Sequence, residues 1–152
     1  MPKKITKGLI AVIIVLFFGF FLNELFTVVE FFLQQFSDFF IFKITGYNVD
    51  NQANWYVMIK HFAFIVLVGI ISRLVFKSKL HPILKASYLV PTFALIYSII
   101  NSLLSNFTFV NYLVSFYFFV GALYALRKSK LNWLYSFSLI AVSTAVILSM
   151  IS

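Results

Sequence analysis

Carboxylates are scarce in this chain, and three of the four, Glu24, Glu30 and Asp38, fall in one phenylalanine-rich run, NELFTVVEFFLQQFSDFFIFK, residues 23–43. After a polar connection come Lys60 and His61. A glutamate, a histidine and a lysine at one membrane level can relay protons, bind a metal or hold an anionic headgroup. Their spacing matches no metal motif such as H-x-x-x-H, so no metal is expected. A blander arrangement also satisfies them: Lys60 snorkels to an interface and His61 pairs with a carbonyl or carboxylate. A further candidate is Asn101, four residues after Tyr97 and downstream of Pro91. Pro91 removes one backbone donor and should loosen the preceding turn. The candidate binding residues are therefore Glu24, Glu30, Lys60, His61 and Asn101.

Other chemistry is excluded or unsupported. The chain has no cysteine, which removes disulfides, thiolate metal sites and thiol nucleophiles. No G-x-S-x-G, no Ser–Lys pair at membrane depth and no phosphate-binding glycine loop occurs. No cofactor is expected and no catalytic residue is assigned. The net charge is +8, but the basic residues lie in short clusters between apolar runs. None has the density and aromatic interleaving of a nucleic-acid surface, so nucleic acid is not an expected partner.

The elements that must position these residues are membrane helices. Hydrophobic residues make up 62% of the chain and charged ones 11%, against roughly 45–50% and about 25% in soluble domains. A bilayer resolves that excess. Five runs approach the roughly 20 apolar residues of a membrane helix: about 8–26, 55–76, 83–104, 109–126 and 131–151. The expected fold is an all-α, polytopic transmembrane bundle forming a single membrane domain over 1–152. The basic head and apolar stretch at the start resemble a signal peptide, but no small-residue cleavage site follows. An uncleaved first span is expected.

Charge sorting gives an orientation. Lys3, Lys4 and Lys7 precede the first span; Arg73, Lys77, Lys79 and Lys85 surround the second connection; Arg127, Lys128 and Lys130 fill the fourth. With five spans, these ten of twelve basic residues share one side, which should be the cytoplasm. Lys43, Lys60 and all four acids then belong at or toward the other side. The expectation is a multi-pass protein of the cell membrane, N-terminus cytoplasmic and C-terminus outside.

In the acidic run, Asn23, Thr27, Glu30, Gln34, Ser37 and Asp38 recur at steps of three or four, one stripe of a helix. Leu25, Val28, Val29, Phe32, Phe36 and Phe39 take the other side. An amphipathic outer-face helix over about 27–42 is expected, followed by an external loop over 43–54. A straight helix from 5 to 42 would measure roughly 57 Å, against a core of about 30 Å. Either the chain bends near 26–30 and the helix lies in the interface, or the stripe turns inward to line a wet cavity or meet a partner. Interfacial helices favour Lys and Arg on the polar face, and this one carries acids.

Small-residue stripes in the later spans, Ala94–Ser98–Ser102, Gly121–Ala125 and Ala141–Ala145–Ser149, suit close helix packing. His81 is expected to be a solvated loop residue. Three functions are compatible with these features. The first is a non-enzymatic accessory or scaffolding subunit of a membrane complex, with membrane lipids and a partner membrane protein or a second copy as its contacts. The second is a small transporter or flippase-like component with a path near Pro91 and Asn101. The third is an embedded enzyme acting on lipid at the outer leaflet.

Overall fold

The computed structural model describes residues 2–45, 54–104 and 106–151, with side chains described for all of these except residues 2–4, 41, 42, 44, 45, 54–61, 150 and 151. The described residues form five helices and no strand: α1 (Pro2–Thr45), α2 (Asn54–Lys77), α3 (Pro82–Leu103), α4 (Thr108–Lys128) and α5 (Trp133–Ile151). The bounds of α2 to α5 lie within about two residues of the apolar runs read from the sequence. Among the described residues, three stretches are long and apolar enough to cross a membrane: Ile5–Phe40, Pro82–Leu103 and Thr108–Lys128. The apolar part of α5, Trp133–Ser149, is shorter.

The first helix departs from expectation. A separate amphipathic helix over 27–42 does not begin after a first span; α1 is one helix of 44 residues. The reason is local. No proline lies between Lys3 and Thr45, the run has only Gly8 and Gly19 as glycines, and neither is near 26–30. Nothing there breaks a hydrogen-bonded ladder. The expected external loop falls largely on residues 46–53, including Asp50, outside the described residues.

The chain divides into two compact units, Met1–Asn23 with Leu80–Ser152, and Glu24–Lys79. In the first, the core sits between α3 and α5, around Ala86, Leu89, Phe93, Leu134, Leu139 and Val142, with Val15 of α1 against it. Ser138 Oγ donates to the Ala86 carbonyl at 2.7 Å, early in both helices. Further along both, the Tyr97 hydroxyl pairs with Ser143 Oγ at 2.7 Å. These two contacts make α3 and α5 parallel neighbours, so α4 runs antiparallel to both. Gly19 brings α1 close to α3: a Cβ on it would stand 2.5 Å from Val90 Cγ2 and 2.8 Å from Val90 Cβ. Pro91 is fully buried and stays inside α3.

The last helices dock by caps and rings. His81, read as a loop residue, is exposed but caps α3: its Nδ1 accepts from the Ile83 amide at 3.3 Å. Pro82 follows at the first helical turn, where its missing N–H has no intrahelical partner to lose. Asn132 caps α5 in the same way through the Leu134 amide at 3.1 Å. From α4, Phe118 stands edge-on to Tyr97, centroids 5.2 Å apart. Otherwise α4 is an outer helix, with Asn111 its one buried residue.

One expectation about packing is corrected in part. Ala94 packs against the core and Ala141 is half-buried, but Ser98, Ser102, Gly121, Ala125, Ala145 and Ser149 are exposed in the first unit, so most of the stripe positions read from the sequence do not form its helix contacts. The contacting faces are those of Ala86, Ser87 and Val90 on α3 and Ser138, Val142 and Ser143 on α5. Small residues alone permit approach on either face; the face chosen also carries the hydroxyls that bond across it.

In the second unit, the end of α1 pairs with α2. Phe26 meets Phe64 edge-to-face, centroids 6.3 Å apart. Among its described residues, Phe64 and Val68 are the buried apolar ones.

Candidate functional site

Within the second unit, Glu30, Leu33, Gln34 and Ser37 of α1 and Ala63, Phe64 and Leu67 of α2 line an open groove of about 130 Å³. The α1 positions follow i, i+3, i+4, i+7, one face of a helix. Those on α2 follow i, i+1, i+4. One wall is therefore mostly polar and the other wholly apolar. Gln34 Nε2 donates to Glu30 Oε1 at 3.3 Å, one turn away. Ser37 Oγ donates to the Leu33 carbonyl at 2.6 Å. The amide and the carboxylate are thus held side by side on the polar wall, with the Phe64 ring on the apolar one.

The stripe read from the sequence turns toward α2 at this groove. Glu30, Gln34, Ser37 and Asp38 are half-buried, while Phe31, Phe32, Phe36 and Phe39 on the other side are exposed. Phe36 stacks on Phe40 at 4.6 Å, and Lys43 Nζ lies 5.8 Å from the Phe39 ring centroid. These contacts order the ridge without covering it.

Of the candidate residues, Glu30 lines the groove. Glu24 lies on α1 in the same unit, is exposed and does not line it. The side chains of Lys60 and His61 lie outside the described residues, although both positions belong to α2. Asn101 belongs to the first unit. Its Oδ1 accepts from Asn111 Nδ2 at 2.8 Å, and Ser115 Oγ reaches Asn111 Oδ1 at 3.5 Å. Asn101 thus ties α3 to α4.

Phe64, Ala63 and Leu67 were missed by sequence reasoning. The signal was available: positions 60, 63, 64 and 67 share one face of α2. Also missed was Asn111, the donor to Asn101, since a lone asparagine in a span looks like any loop-proximal polar residue.

Chemically, the groove offers one carboxylate, one amide and one hydroxyl opposite a phenyl ring. Among the described residues no three His, Asp or Glu side chains gather as metal ligands. The arrangement can hold a small charged group between a polar and an apolar wall. Among the described residues, Glu30 is the one ionisable side chain lining it. Comparison with known protein families, with curated proteins and with solved structures finds no match for this chain.

Proposed function

We propose that the protein is a multi-pass subunit of a cell-membrane assembly, non-enzymatic, and acting as an accessory or scaffold. The observation that carries this reading is polar satisfaction. Among the described residues, every buried side-chain nitrogen or oxygen has a hydrogen-bond partner. In the first unit those partners include neighbouring helices: Tyr97 with Ser143, Ser138 with the Ala86 carbonyl, Asn111 with Asn101. That unit contains no aspartate or glutamate. A bundle whose polar groups face one another is built to hold its shape; catalysis and coupled transport need ionisable groups aimed at a substrate or ion. The transport path along α3 has correspondingly less support, because Tyr97 and Asn101 bond to Ser143 and Asn111.

The topology that suits this role has five spans, with the N-terminus in the cytoplasm and the C-terminus outside. At about 1.5 Å per residue, the 19 residues of α5 reach nearly the roughly 30 Å of a bilayer core. The 24 residues of α2 exceed it. The parallel course of α3 and α5 puts Lys85 near the start of one helix at the same end as Arg127, Lys128 and Lys130 before the other, in keeping with cytoplasmic basic loops. Large exposed apolar faces, the phenylalanine ridge of α1 and the outer face of α4, are available to lipid and to partner helices.

Solubilisation of native membranes in a mild detergent, followed by native gel electrophoresis and cross-linking, tests the proposal. The chain should migrate in a discrete assembly well above its 17.5 kDa. Recovery as a monomer that alone sustains solute uptake or lipid turnover in liposomes would refute it.

A further inference from the structure

We propose that the turn joining α4 to α5 binds the phosphate of an anionic phospholipid through Arg127, Lys128 and Lys130. The inference rests on the multi-pass reading only in setting this end of the first unit at headgroup level. Three observations carry it. The first is charge: all three cations are exposed, and the unit they belong to holds no aspartate or glutamate. Clusters of cations immediately beyond a membrane helix attract anionic lipid. The second is the apolar border. Tyr124, Leu131 and Trp133, which flank the cations in the chain, are exposed too, and Lys128 Nζ lies 5.8 Å from the Tyr124 ring centroid. Tyrosine and tryptophan favour the level of lipid headgroups. A cationic turn edged by carbon fits an amphiphile, with phosphate at the charges and acyl chain along Leu131 and Trp133. An acidic peptide would leave that border uncovered.

The third observation is the backbone of the turn. Helix α4 is capped by Ser129, whose amide donates to the Ala125 carbonyl at 3.0 Å. The next residue, Lys130, has φ of 52°, in the left-handed region that glycine adopts freely and a lysine does not. Glycine is the common residue just past a helix end. The α4 dipole accounts for Arg127 and Lys128 in the last turn. It does not account for a lysine beyond the cap in a strained conformation. Such outliers persist where the surroundings hold them and cluster at binding sites. The Lys130 amide donates to the Arg127 carbonyl at 3.1 Å, which folds the turn back on the helix end and keeps the cations together.

The test uses the full chain in neutral detergent, with phosphatidylglycerol and phosphatidylcholine as lipid probes and inorganic phosphate as a free one. Native mass spectrometry reads retention. Phosphatidylglycerol should be kept over phosphatidylcholine, and the preference should fall as salt rises. Lys130→Gly is the discriminating variant. It relieves the backbone and so does not act by unfolding, yet it should weaken phosphatidylglycerol retention about fivefold. Arg127→Gln with Lys128→Gln should weaken it roughly 25-fold. Lys43→Gln, on α1 in the other unit, should leave it unchanged. Equal retention of the two lipids overturns the proposal, as does undiminished phosphatidylglycerol retention in Lys130→Gly and in the double variant. Inorganic phosphate bound as tightly as phosphatidylglycerol also overturns it, by marking a free-anion site. Retention is read on the isolated chain, so failure of the subunit reading on a native gel leaves this outcome intact.

Discussion

Gly19 illustrates how much a single position can decide. It interrupts the run LFFGFF, and its missing side chain lets α1 approach Val90, whose Cβ and both methyls would lie 2.5 to 3.2 Å from an added Cβ. Valine in a helix has one strongly preferred rotamer, so it cannot swing aside. Gly19→Ala gains up to about 1 kcal/mol of helix preference but overpacks the contact, a change that typically costs about 1–3 kcal/mol. Unfolding titrations in detergent should show a net loss, and Val90→Ala in the same chain should recover it. Gly69→Ala, where an added Cβ meets nothing within 4 Å, should show no loss. Gly19 was legible in hindsight only as part of a spacing: Ala11, Val15 and Gly19 are four apart and face α3. Small residues mark such a seam, but a lone glycine among phenylalanines resembles any apolar filler.

At the scale of helices, hydropathy located the five elements because length and apolarity are properties of one segment. Which face of each helix meets a neighbour is a property of two. Serine and alanine stripes on α3, α4 and α5 were visible in the sequence, yet the α3–α5 seam uses Ser138 and Ser143, whose hydroxyls bond across to Ala86 and Tyr97. That distinction gives a paired prediction. Ser138→Leu, at a fully buried position, should lower stability by about 1–3 kcal/mol through overpacking. Ala145→Leu, at an exposed one, should be tolerated within about 0.5 kcal/mol. Equal effects would mean the helices are rotated from the arrangement described. The polar stripe of α1 was readable for the same reason as the spans, since its period lies within one helix. That it turns toward Ala63, Phe64 and Leu67 could not be read, because nothing within the stripe tells water from a neighbouring helix. A break in the helix near 26–30 is expected from bilayer thickness alone; α1 stays helical there because no residue in that stretch stops a helix.

For the whole molecule, the account joins an acid-free bundle whose buried polar groups bond between helices to a helical pair bearing acids along one face. The proposed five-pass arrangement rests on charge sorting across the bilayer. The chain lacks cysteine, so single cysteines can be introduced without background: Ser78 before α3, Asn106 between α3 and α4, and Ser129 between α4 and α5. Labelling intact cells with a membrane-impermeant maleimide should modify the cysteine at 106 from outside. Those at 78 and 129 should react only after permeabilisation. Labelling of 106 and 129 from the same side would contradict the five-pass arrangement and the subunit architecture built on it.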